Sequence, residues 1–301
     1  MTTTLTTATD DPRAHAERRP SSGASDLVRS ARADLSRLVR WPAAWITLGA
    51  WLVLSVLFGY LFPYLSYLNG GGIGPEDGAA PLADVLPAAV PSALIQGTPL
   101  FGGALMVVLG ALVAGSGYGW GTWKTVLTQG PSRTSALVGS LLALLALVTG
   151  LMVVSLLLDL GIAYAIAGVE SGSAALPAAS DLGQAFGTGL LVMGMWALTG
   201  FFLGTVSRSP ALSTGLGLVW ALAIENLLRG VGALLGAVET LTHFLPGTAA
   251  GSLVGAVTGA DAGTPGVVDT LSGERALWTL AAYVVVFPLV SLLLVRRRDV
   301  S

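Results

Sequence analysis

The chain has no cysteine and only two histidines, and charged residues make up 11% of its 301 positions. Without cysteine there is no disulfide framework, thiol nucleophile or thiolate metal site. His15 and His243 are too few and too far apart to build a zinc centre. The one lysine, Lys124, follows Trp123 and not the glycine of a phosphate-binding loop, so a nucleotide-hydrolysing motif of that type is missing. Ser116, within Ala114-Gly115-Ser116-Gly117, has no histidine placed to activate it, and its small neighbours suit close helix packing instead. The residues therefore offer no catalytic set and no metal-ligating set. A net charge of −2 gives no argument for a nucleic-acid partner.

What is abundant is apolar. The hydrophobic share is 53% and the mean hydropathy +0.75, more apolar surface than one water-soluble core can hide. A bilayer core of roughly 30 Å needs about 20 apolar residues per helix. Six stretches reach that length: 43–62, 99–118, 136–158, 185–205, 210–228 and 277–295. They are continuous and do not alternate with period two, so helices are expected and barrel strands are not. The predicted fold class is an all-α integral membrane protein with six transmembrane helices and a 43–295 transmembrane domain.

The charges orient it. With a cytoplasmic N-terminus, thirteen basic residues fall inside: Arg13, Arg18, Arg19, Arg29, Arg32, Arg37, Arg40, Lys124, Arg133, Arg208 and Arg296 to Arg298. Only Arg229 and Arg275 stay outside, where the loops carry carboxylates such as Glu76, Asp84, Glu170 and Asp269. Retention of Lys and Arg in the cytoplasm predicts both termini inside. The excess of Arg over Lys, with abundant Gly and Ala, points to a bacterial plasma membrane. Residues 1–24 read as a flexible tail and 296–301 as a short basic one.

Residues 25–41 form a basic amphipathic helix by periodicity. Leu27, Val28, Ala31, Leu35, Leu38 and Val39 lie on one face, with Arg29, Arg32, Arg37 and Arg40 around the rest and Trp41 at the end. Ser25 is placed to cap it. The expected site is the cytoplasmic interface, with the apolar stripe in lipid and arginines near anionic headgroups; a plain topological start signal is the alternative. Residues 66–97, rich in Gly and Pro, predict mostly irregular chain, and 159–184 a second outer loop. In the last outer loop, 230–273, Val231 to Leu245 and Ala249 to Val257 are apolar enough for short re-entrant or interfacial helices, separated by Pro246-Gly247.

The loop between the second and third spans is the most specific feature. It runs Gly121-Thr122-Trp123-Lys124-Thr125-Val126-Leu127-Thr128-Gln129-Gly130-Pro131-Ser132-Arg133. Thr122 is placed to cap a short helix that Gly130-Pro131 ends. Trp123, Val126 and Leu127 share one face of it, over a length too short to be stable alone in water. In Gly121, Thr122, Leu127, Pro131, Ser132 and Arg133, in the six-span layout, in the amphipathic N-terminal helix and in the large last outer loop, the chain resembles type 2 ABC transporter permeases. The resemblance implies that 121–133 is a coupling helix docking into a cytoplasmic ATPase subunit, that ATP and Mg²⁺ bind to that partner and not to this chain, and that a second permease chain completes a homodimer or heterodimer. Residues 111–121 lack the acidic residue that often precedes Gly-Thr in the family, so a contact of that kind has no counterpart here. An ordinary positively flanked loop is the alternative.

Charge within the spans is sparse. Asp159 lies near the end of the third span, and Glu225 with Asn226 near the end of the fifth. A carboxylate in lipid costs about 2.5–3.5 kcal/mol on insertion scales, so these three residues are candidates for a translocation path or gate. Glu225 could equally pair with Arg229, one turn on. Pro288 in the sixth span removes a backbone donor and is either a hinge or one of the prolines common in membrane helices. Two rivals to an ATP-driven exporter of amphiphilic cargo stay open: a gradient-driven carrier or channel, and a non-transporting scaffold or sensor.

Overall fold

The computed structural model describes residues 23–70, 81–119, 132–170, 172–232, 234–259 and 264–297. Among them no strand occurs, and six helices are long and apolar enough to cross a membrane. An N-terminal helix, α1 (Gly23–Val39), precedes the six, which are α2 (Pro42–Leu68), α3 (Pro87–Ser116), α4 (Arg133–Val169), α5 (Ala179–Ser207), α6 (Pro210–Gly232) and α9 (Gly273–Arg297). Two shorter helices, α7 (Gly236–Thr242) and α8 (Pro246–Thr258), lie between α6 and α9. Successive long helices run antiparallel. Arg296 Nε meets Thr134 Oγ1 at 3.4 Å at the end that gathers the basic residues, and the Tyr64 hydroxyl donates to Glu170 Oε1 at 2.6 Å at the opposite end.

The helices are longer than their apolar runs. α4 has 37 residues, about 55 Å at the usual rise, well beyond a hydrocarbon core of roughly 30 Å. It takes in 159–169, so the expected loop 159–184 shrinks to the residues between Val169 and Ala179. The reason is tertiary: Leu160, Ile162, Ala163 and Ile166 pack on Tyr60, Val85 and Val90, which holds the extra turns in place. Residues 82–97 also depart from the irregular chain expected of them. A 3₁₀ turn, Leu82–Val85, is followed by helix from Pro87. Pro87, Pro91 and Pro99 each fall in the first turn of a helical segment, where a missing N–H costs nothing. α1 starts at Gly23, so Ser25 lies inside its first turn and not ahead of it.

α3 and α5 form the centre. Met106, Val107 and Leu109 pack with Val192, Met193, Trp196, Ala197 and Phe201, all at most 1% exposed. Glycine makes this approach possible in both directions. A Cβ on Gly110 would strike the Ala197 carbonyl and the Phe201 amide, and one on Gly200 would strike the Val107 carbonyl. Gly103 admits the Trp196 indole and Gly115 admits Pro210. Gly103, Gly110 and Gly115 of α3 are thus used inside this chain, as is Gly217 against Val107, while Gly215 of α6 faces open space. α2, α6 and α9 are the least buried of the six, and large apolar side chains such as Ile46, Leu157, Leu227 and Trp278 stand exposed. In water such a surface would aggregate; in a bilayer it is the expected outer face. α9 continues as one helix through Pro288.

Candidate functional site

The amphipathic helix does not leave its whole apolar stripe for lipid. α1 packs along the start of α4: a Cβ on Gly139 would collide with Ser30, and Ser140 Oγ donates to Asp34 Oδ2 at 2.6 Å. Asp34 also pairs with Arg37 at 3.3 Å. Leu38 is fully buried, and Leu27, Ala31 and Leu35 are partly buried, whereas Val28, Val39, Arg29, Arg32 and Arg40 face outward. The inward face is therefore 27, 31, 34–35 and 38, and a carboxylate and a serine take part in it. Trp41 ends the helix partly buried against the core and precedes Pro42, the first residue of α2.

Gly121, Thr122, Trp123, Lys124, Val126, Leu127 and Pro131 lie outside the described residues. The far flank of their loop is defined: Ser132 takes the N-cap position of α4, its Oγ accepting from the Ser135 amide at 3.1 Å, and Arg133 is the first helical residue. The loop thus joins α3, locked into α5, to the end of α4 held by α1.

Glu225 is fully buried, and its partner is not the one its spacing suggests. Residues 219–224 form a π turn, in which positions five apart share a face. That register lets Trp220 Nε1 donate to Glu225 Oε1 at 2.8 Å. Arg229 turns instead to Asn226 Oδ1, at 2.5 Å, and Asn226 donates to the Leu222 carbonyl. Among the described residues Glu225 and Arg229 form no direct salt bridge, although each lies within the other's field.

The other carboxylate oxygen of Glu225 addresses α8. Leu245, the N-cap residue of α8, has no side-chain oxygen, so the first amides of that helix need an acceptor from elsewhere. Glu225 Oε2 lies at this turn, facing the Gly247 and Thr248 amides, as an electrostatic approach without full hydrogen-bond alignment. A negative charge there is favoured by the helix dipole. A Cβ on Gly247 would displace Oε2 from this position. Trp196 closes one side of the cluster and Tyr283, which donates to the Phe244 carbonyl at 2.7 Å, lies within its field. From Pro246 to Val254 every residue of α8 is buried. Pro246 begins this helix and does not merely separate two apolar segments.

Asp159 is also fully buried, on the side of α4 that faces α2. Polar contacts recur along this seam. Trp51 Nε1 donates to Ser155 Oγ at 3.0 Å, one turn before Asp159, and Tyr64 donates to Glu170 beyond it. Asp159 differs from its neighbours: among the described residues neither of its carboxylate oxygens has a hydrogen-bond partner, nor does the Tyr60 hydroxyl in its field. Tyr60 sits in the π turn Leu57–Leu61 of α2. Asp159 and Glu225 are thus not brought together. One lies between α2 and α4, the other among α5, α6 and α8.

Two features differ in how far the sequence signals them. The sulfur-free, charge-poor seam of Trp51, Ser155, Tyr60 and Tyr64 could be suspected from polar groups inside apolar runs. The α8 contact with Glu225 had no local signal. No protein-family model matches the chain, and no curated protein matches it.

Proposed function

We propose that the chain is the membrane subunit of an ATP-driven transporter of the type 2 ABC permease kind. It exports an amphiphilic substrate across a bacterial plasma membrane, with both termini cytoplasmic. It works with a second permease chain and with cytoplasmic ATPase subunits that bind ATP and Mg²⁺, and residues 121–133 are the coupling helix on which those subunits push. The observation that carries the reading is how the flanks of this loop are tied. α3 is locked into α5 through Gly110 and Gly200, and α4 is clamped to α1 through Gly139 and the Ser140–Asp34 bond. A push on the loop would therefore move two helix pairs and not bend a single connection. The basic residues of α1 and the loop, grouped at one end, support the orientation.

In this mechanism tilting of the α3–α5 pair relative to α6 changes the environment of Glu225, which links α6 to α8. The Trp220, Asn226 and Arg229 contacts then form the gate at the end opposite the loop. The least buried faces, on α2, α6 and α9, are where lipid and the second permease chain would lie. Replacing Trp123 and Leu127 with Ala is expected to leave membrane insertion intact and to uncouple ATP hydrolysis from export, since the apolar docking face is lost. Unchanged ATPase association together with unchanged export in that variant would refute the coupling assignment. The buried Asp159 and Glu225 favour, as a second reading, a gradient-driven carrier without an ATPase.

A further inference from the structure

Asp159 poses a charge problem that the described residues do not solve. It is 0% exposed, and an ionised carboxylate without a donor is among the most costly groups to bury. Two other polar side chains of the α2–α4 seam are satisfied within it. Ser155 accepts from Trp51, and Tyr64 reaches Glu170 at the helix end.

The surroundings of Asp159 hold no positive group. Positions 42–68, 81–119, 134–170 and 179–207, which include α2, α3, most of α4 and α5, contain no lysine, arginine or histidine. Tyr60 on α2 lies within its field, and the other titratable groups on the elements toward that end of the seam are Tyr64 on α2, Asp84 on the 82–85 turn, Glu170 at the end of α4 and Asp181 in the first turn of α5. All are neutral or acidic. Asp34 and Glu225 provide the contrast, the first having Arg37 and a serine, the second Trp220 and the amide end of α8.

The seam also has the right chemistry to hold a small cation. The two oxygens of Asp159 and the hydroxyl of Tyr60 are hard oxygen donors, none engaged by another described group. Tyr60 is carried on a π turn, an insertion that proteins retain most often at functional sites. Asp159 lies ten residues from Val169, the last helical residue of α4, about 15 Å along the axis, so the site is near the end opposite the basic residues.

We propose that Asp159, with Tyr60 beside it, is a binding site for a small monovalent cation, a proton or a sodium ion, taken up within the α2–α4 seam. This adds an ion step to whatever moves the substrate and does not depend on the coupling role of 121–133. Charge balances simply: one cation binds one carboxylate, leaving a neutral seam. Loss of the cation returns a charge that strains the α2–α4 packing and favours its opening.

Infrared difference spectroscopy on the purified full chain in lipid nanodiscs tests this directly. Wild type is compared with Asp159→Asn, from mildly acid to mildly alkaline buffer, with potassium or sodium as the only salt cation. In potassium, the expected result is a protonated-carboxyl band that the variant lacks and that is lost as the pH rises. Loss of the same band on adding sodium at neutral pH would identify sodium as the competing ligand; insensitivity to sodium would identify the proton as the only one. If Asp159→Asn does not fold, heavy-isotope labelling of aspartate in the wild type assigns the band instead. A permanently ionised Asp159 unaffected by pH and sodium would overturn the proposal. So would a protonated band that neither condition moves, since that describes a neutral packing group and not a binding site.

Discussion

Placing a methyl group on Gly110 should separate the two central helices. The ideal Cβ falls on the Ala197 carbonyl and beside the Phe201 amide, atoms of backbone that cannot rotate away. Relief requires α3 and α5 to move apart along the contact. A gap of 0.5–1 Å forfeits a quarter to a half of each van der Waals pair it opens, and overpacking of this kind costs about 1–3 kcal/mol, here toward the upper end. Alanine returns about 1 kcal/mol through its better helix propensity. The net expectation for Gly110→Ala is a loss of about 2 kcal/mol. Gly161→Ala is the control, because nothing lies within 4 Å of a Cβ there, and it should be neutral or slightly stabilising. The double variant Gly110→Ala, Gly200→Ala carries a sharper signature. Both clashes are relieved by one separation, so its cost should fall well short of the sum of the single costs. Thermal unfolding in mild detergent, followed by fluorescence-detected size exclusion, measures the wild type, the single variants Gly110→Ala, Gly200→Ala and Gly161→Ala, and the double variant. Equal behaviour of Gly110→Ala and Gly161→Ala would refute the reasoning, and strict additivity in the double variant would show that the two glycines do not share one contact.

Other outcomes follow from the polar contacts. Glu225→Ala removes the acceptor of Trp220 Nε1 and the carboxyl group at the start of α8, and should cost about 1–3 kcal/mol; faster protease cleavage within 230–259 is the readout, and an unchanged cleavage pattern would contradict the link. Ser140→Ala breaks the bond to Asp34 and should weaken the hold on α1 by about 1.5–3 kcal/mol, seen as faster tryptic cleavage at Arg32 and Arg37. Unaltered cleavage would mean that α1 is held by lipid and not by α4. Trp51→Phe leaves Ser155 without its donor and should lower the unfolding temperature, with a loss of about 1 kcal/mol, whereas Trp278→Phe on an exposed face should not.

Much of this architecture can be read from apolar run length, and the errors have local causes. The six spans emerge because bilayer thickness sets a minimum length that few soluble helices satisfy. Their ends were underestimated because the extra turns of α4 are held by contacts with α2 and the 82–85 turn, which no window of α4 alone contains. Glycine and proline suggest irregular chain over 66–97, yet Pro87 and Pro91 stand in first turns, where they are compatible with helix. The stripe of α1 was legible, but periodicity does not distinguish a lipid surface from Gly139 and Ser140. Glu225 stands out in the sequence as a carboxylate within an apolar run, and its contact with Trp220 is hidden there for a geometric reason. Ordinary spacing directs attention to i+4, whereas the π turn over 219–224 brings Trp220 into reach at i−5. The α8 contact joins residues about twenty positions apart through a turn that depends on Pro246 and Gly247, and only the folded chain brings them together.

The central claim is that this subunit is driven by a separate ATPase. Purification of the chain from its native membrane in mild detergent, with identification and quantification of what accompanies it, tests that claim most directly. The account predicts a stoichiometric ATP-binding-cassette ATPase that is lost from the Trp123→Ala, Leu127→Ala variant. Recovery of the chain alone, stable and transporting in vesicles on an ion gradient without ATP, would contradict it.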